Sequence, residues 1–184
     1  MRKAVANIAA DGGWSTFEDF TDLWFTFLTA FKSTYTALEQ GSKVSPQTMQ
    51  WFGAKARQRR GDELLQYLYQ ARNDEEHGLD QGTRAVPGRM TLQVTVPESL
   101  QIDLSNVQAA NGMTRLPDGQ LATVIEQQSP HIALVPVRDR DKAKAHPVPT
   151  RHLGEPIKDQ SPLNIAKLAL AYLTGMVKEV EGLS

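Results

Sequence analysis

Residues 66–79 read Q-Y-L-Y-Q-A-R-N-D-E-E-H-G-L, which places Arg72, Asn73, three consecutive acids and His77 within six positions. Histidine exchanges a proton near neutral pH, and arginine offers a permanently charged fork that fits a phosphate. Together they suit phosphodiester cleavage, with the histidine moving protons and the arginine holding the phosphate. Helix geometry qualifies this. At roughly 100° per residue, positions five apart differ by about 140°, so Arg72 and His77 fall on different faces of an ideal helix, while Asn73 and His77, four apart, share one. Convergence of Arg72 and His77 on one phosphate therefore requires an unwound helix end near Gly78 or a second copy across a twofold axis. A purely structural account uses the same residues. Arg72 and Glu76 form an i,i+4 pair, His77 complements the helix dipole, and Gly78 is an ordinary C-cap.

The Arg72-Asn73-x3-His77 pattern, with four residues between Arg and His near the end of one helix, resembles the signature of the HEPN superfamily. That resemblance implies a helical bundle acting as a homodimer that binds or cleaves RNA, in a defence or toxin–antitoxin setting. It further implies a metal-independent ribonuclease site, with His77 in proton transfer at the ribose 2′-hydroxyl, Arg72 stabilising the phosphate and Asn73 orienting the scissile group. The proline-rich β segment described below is not part of the basic HEPN pattern, and some members are non-catalytic. The alternative is a non-enzymatic protein-interaction module, in which the bundle gives stability and the β insertion presents an edge to a protein partner.

Lys55, Arg57, Arg59 and Arg60 set four positive charges in six residues just before the motif helix. Such a run docks a polyanion backbone, and it equally complements the negative end of a helix. His131, His146 and His152 lack a metal-type spacing and are expected to be structural or exposed. There is no glycine-rich phosphate loop and no G-x-S-x-G elbow, so no cofactor and no metal is expected.

The elements that must position these residues follow from periodicity. Phe17, Phe20, Trp24, Phe27, Phe31, Tyr35 and Leu38 recur at three and four, which predicts a long helix over Trp14–Leu38, capped by Ser15 and Glu18 and broken at Gly41. Ser45-Pro46 starts a second helix carrying Met49, Trp51 and Phe52 and ending near Gly61. Asp62 caps a third, with Leu64, Leu65, Leu68 and Ala71 as its buried stripe. Ser161-Pro162 opens the last helix, with Leu163, Ala166, Leu170, Leu173 and Val177 inward. Between 81 and 160, which hold eight of the ten prolines, alternation predicts strands at 90–96, 100–107, 121–125 and 132–137. Residues 138–160 read as a long exposed connection.

The expectation is a mainly α protein with a β insertion (α+β): a four-helix HEPN-like bundle from about 14–79 and 161–181, with a small antiparallel insertion. In domain terms, 1–80 and 161–184 form the bundle and 81–160 the β-rich excursion with its Pro-rich connection. Twenty Lys+Arg against 21 Asp+Glu leave a net charge of −1 over 184 residues, so any attraction to RNA must come from a local patch. With no cysteine, disulfides and thiolate metal sites are excluded. No membrane segment is expected, and the short apolar run after Met1, broken by Asn7 and Asp11, is too weak for a secretory signal. A cytoplasmic location is expected.

Overall fold

The computed structural model describes residues 1–9, 16–76, 82–93, 108–110, 113–115, 121–128, 130–138 and 145–183. The described residues form five helices, α1 (Arg2–Ala9), α2 (Phe17–Gly41), α3 (Pro46–Gly61), α4 (Glu63–Glu76) and α5 (Pro162–Glu181), with short antiparallel strands between α4 and α5. The strands are β1 (Thr83–Val86), β2 (Arg89–Gln93), β3 (Gln108–Ala110), β4 (Met113–Arg115), β5 (Leu121–Gln128), β6 (His131–Leu134), β7 (Val137–Arg138), β8 (Ala145–His146), β9 (Arg151–His152) and β10 (Glu155–Pro156). The protein is thus mainly helical with small antiparallel pairings, an α+β class. Among the described residues no helix is long and apolar enough to cross a membrane.

Two compact units divide the chain: Met1–Arg84 with Ile132–Ser184, and Ala85–His131. The boundaries thus fall at 84/85 and 131/132 instead of 80/81 and 160/161. Segment 132–160 belongs with the helices because it is pinned to them. Pro149 and Val137 are buried, and Thr150, Arg151, His152 and Leu153 bond to carboxylates at the start of α4. Most described residues of the connection expected over 138–160 are exposed, as expected, but the segment is tied to α4 and carries short strands, so it is not a loose link. Alternation alone could not reveal this, since the anchoring runs through backbone N–H groups and one histidine, which leave no hydrophobic period.

The helical unit has one core. α2 contributes Phe20, Trp24, Phe27, Leu28, Phe31 and Tyr35, the inward stripe of its periodicity. α4 contributes Leu64, Leu65, Tyr67, Leu68 and Ala71, and α5 contributes Ile165, Ala166, Ala169, Tyr172, Leu173 and Met176. Leu163, Leu170 and Val177, expected inward on α5, are half-buried, so its inner face is rotated from the one read in the sequence. α1, which no sequence signal announced, closes the core with Ala4, Val5 and Ile8. α3 buries Phe52 and packs the partly buried Trp51 and Ala56 against the core, while most of its length is polar.

Caps fix where these helices begin. Thr16 and Asp19 form the capping box of α2, one residue later than the expected Ser15 and Glu18. The helix then runs through Gly41 into a 3-10 turn at Ser42–Val44 instead of breaking at the glycine. Ser45 caps α3 with Pro46 in the first turn, and Ser161 caps α5 with Pro162, as the sequence indicates.

Within the second unit, β2, β5, β4 and β3 form a four-stranded antiparallel sheet in that order, with a register shift at Thr91/Leu92. The strand expected at 100–107 lies outside the described residues. In the helical unit the buried Tyr67 donates its hydroxyl to Val135 O at 2.8 Å, and Val135 N donates to Gly82 O at 3.0 Å. Tyr67→Phe keeps the ring and removes the first bond. A loss of about 1 kcal/mol is expected, read as a lower urea midpoint at unchanged m-value.

Candidate functional site

α4 carries the motif because its other face is committed to the core. Leu64, Leu65, Leu68 and Ala71 turn inward, leaving Arg72 and Asn73 half-buried at the last described turns. Both side chains lean on α2. The Arg72 guanidinium lies over the Phe25 ring, 5.1 Å from its centroid, and Asn73 Oδ1 accepts from Lys32 Nζ at 3.1 Å. Phe25 is exposed for a large apolar residue, and stacking by Arg72 gives it a partner. Lys32 is a cation of this region that sequence reasoning missed. It sits one position after Phe31, on the flank of the apolar stripe, where a lysine is commonplace and gives no warning. His77 lies outside the described residues, as do the side chains of Asp74, Glu75 and Glu76.

The basic run of α3 separates into two kinds of residue. Lys55 pairs with Glu179 of α5 at 2.7 Å, and Trp51 Nε1 donates to the same carboxylate at 2.9 Å. These bonds, the Lys55 one foremost, hold the Glu179 carboxyl below its usual range. The Arg59 guanidinium is placed over two rings, 4.1 Å from Tyr69 and 4.9 Å from Tyr35. Arg57 and Arg60 are exposed. Two of the four cations therefore have contacts within the fold, and two face solvent.

A second polar constellation forms where α4 begins. Asp62, 7% exposed, caps α4 by accepting from Leu65 N at 2.9 Å. The same carboxylate accepts from Leu153 N at 2.6 Å and meets His152 Nδ1 at 3.0 Å. Burial pushes its pKa up, but the bonds from His152, Leu153 and Leu65 outweigh that and leave it below the ordinary aspartate value. Glu63 beside it accepts from Thr150 N, Thr150 Oγ1 and Arg151 N at 2.9–3.1 Å, and these bonds, the Thr150 backbone one first, lower its pKa also. An ionised Asp62 requires Nδ1 to carry the proton, which fixes the His152 tautomer. His152 meets the Tyr172 ring edge-on at 5.8 Å, and the Tyr172 hydroxyl donates to Gln58 Oε1 at 3.2 Å. Burial raises the Tyr172 pKa, so its hydroxyl stays protonated.

Among the described residues no cluster of three or more His, Asp or Glu side chains is arranged to hold a metal ion. Comparison with protein-family models, with curated proteins and with solved structures finds no match to this chain.

Proposed function

We propose that the helical unit is a HEPN-like bundle that binds RNA and cleaves it without a metal, as a homodimer. The observation that carries this reading is the last described turns of α4, where Arg72 and Asn73 sit side by side and α2 brings Lys32 onto Asn73. Arg72 and Lys32 supply positive charge beside an amide, opposing the acids at 74–76 that would otherwise repel a phosphate.

In the reaction, His77 takes the proton from a ribose 2′-hydroxyl, and that oxygen attacks the neighbouring phosphorus. The bond from phosphorus to the 5′-oxygen breaks, leaving a 2′,3′-cyclic phosphate, and the departing 5′-oxygen takes a proton from water to become a 5′-hydroxyl. Arg72 holds the non-bridging oxygens as charge builds on them, and Asn73 orients the group. In the proposed dimer the second protomer supplies the His77 that meets Arg72 on one phosphate, which positions five apart on one regular helix do not do by themselves.

The test is cleavage of a labelled mixed RNA pool in EDTA by wild-type protein, with product ends analysed and the oligomeric state measured in parallel. Cuts ending in cyclic phosphate, made by a dimer, are expected; no cutting by a folded dimer overturns the catalytic reading. A second reading, the non-catalytic interaction module, is favoured by the open strand order β2-β5-β4-β3, which leaves β2 and β3 at the edges of the described sheet. It requires that wild-type protein cut no RNA and that changes at Arg72 leave partner binding untouched.

A further inference from the structure

α3, α5 and the β9–β10 hairpin enclose an open groove of about 450 Å³, lined by Lys55, Gln58, His152, Leu168, Tyr172 and Gly175 among others. About 15 Å of helix axis separates Asp62, behind this groove, from Arg72 at the other end of α4. Two observations set the groove apart from a gap in packing.

The first is His152. Its Nδ1 is committed to buried Asp62, while Nε2 makes no hydrogen bond among the described residues, on a ring that lines the groove. In the neutral ring, Nε2 is therefore a fixed acceptor available to the groove.

The second is Gly175. A glycine well inside a helix costs about 1 kcal/mol relative to alanine. Close packing does not require it, since a Cβ built there meets nothing within 4 Å. With Leu168 and Ala171, at i, i+3 and i+7 along α5, it forms a bare apolar ledge. A side chain at 175 would occupy the groove.

Leu153 stands at the rim with its side chain about half exposed; its φ of 51° and the φ of 88° at Gly154 are those of the two-residue hairpin turn that joins β9 to β10.

The chemistry of the lining selects the occupant. Lys55 and Glu179 neutralise each other, so this pair exerts no net pull on a phosphate, yet it presents a donor and an acceptor side by side. The Gln58 amide, whose Oε1 accepts from Tyr172, adds its N–H donors to that polar part of the lining, which also includes the apolar Leu168 and Ala171. A neutral, flat ring with alternating donors and acceptors on its edge matches all of this. We propose that the groove binds a single unstacked nucleobase, with its face on the α5 ledge and its edge read by Gln58, His152 Nε2 and the Lys55–Glu179 pair.

The experiment is a titration of the full chain with the four ribonucleosides, followed by the ring nitrogens of His152 and the indole N–H of Trp51 in NMR spectra. Ribose 5-phosphate and a capped dipeptide amide serve as the sugar-phosphate and peptide probes. At least one nucleoside should bind saturably with a Kd on the order of 1 mM, with neither other probe moving these signals. Gly175→Leu should weaken that binding by at least about tenfold while leaving the melting temperature unchanged or higher. Gln58→Ala, a change at an exposed side chain, should shift the preference among bases. Silence with all four nucleosides, a response to the dipeptide or ribose phosphate instead, or full binding by Gly175→Leu overturns the proposal. Nucleoside binding is read without any cleavage, so failure here and failure of the ribonuclease reading are distinguished.

Discussion

Under the ribonuclease proposal, His77→Ala is expected to slow RNA cleavage by about 10²–10⁴-fold, the usual contribution of a positioned general acid or base, with no more than a small change in stability. The reasoning is chemical. Without metal ions to activate it, the 2′-hydroxyl needs a group that can take its proton near neutral pH, and His77 is the residue of the motif able to do so. The comparison is run in EDTA on wild type and variant purified identically, with thermal unfolding measured on both. Equal cleavage by the two proteins would remove His77 from the mechanism. Arg72 gives a less direct readout, because its guanidinium also packs on Phe25 and truncation would expose that ring. Arg72→Lys is the informative partner variant: it keeps the charge, loses the fork, and should recover only part of the activity lost in Arg72→Ala.

The second large effect concerns stability. Asp62→Ala removes the cap of α4 and two bonds to the β9–β10 hairpin, leaving Leu65 N, Leu153 N and His152 Nδ1 without their acceptor. A loss of about 3 kcal/mol is expected for a buried carboxylate with this many partners, which is a fall of roughly 6–12 °C in melting temperature for a chain of this size. Asp62→Asn, which keeps an acceptor for the cap, should lose less. The carboxylate also gives acid sensitivity a definite sign. Because the folded pKa of Asp62 is lowered, its contribution is present above the unfolded value of about 4 and is lost as pH falls through the folded pKa. Glu63 adds a shift in the same direction. Urea midpoints measured between pH 7 and pH 3 should be flat at first and then fall. The fall should be shallower in Asp62→Ala, and parallel curves for the two proteins would refute the assignment.

The helices were legible because caps and periodicity act locally. Ser45-Pro46 and Ser161-Pro162 each mark a start, and the aromatic stripe of α2 marks a face. Asp62 was legible as a cap but not as the anchor of residues some ninety positions later, because nothing in local sequence distinguishes a carboxylate with one partner from one with several. His152 has no metal-type spacing in the sequence; its partner is a buried aspartate on another element, and such a pairing leaves no spacing to read. α1 is amphipathic, with Ala4, Val5 and Ile8 on one face, but its eight residues make little more than two turns, too few for a repeat to stand out in sequence. On α5, alanines and leucines are spread around the helix, so several stripes fit equally well and only packing chose among them. Arg72 and Asn73 stood out by residue type, while Lys32, which meets Asn73 from α2, did not.

The bond from Val135 N to Gly82 O, flanked by the Tyr67 hydroxyl, brings together the two points at which the chain leaves and rejoins the helical unit. Whatever lies between them is, for the helices, a closed loop whose length enters only logarithmically, at about 0.6 kcal/mol per doubling. Residues 85–131 can therefore be traded for a short turn, or for a foreign domain with neighbouring termini, at little thermodynamic cost. The joint at Gly82 and Val135 is a natural splice point, where one scaffold can acquire or shed recognition modules while its own core remains unchanged.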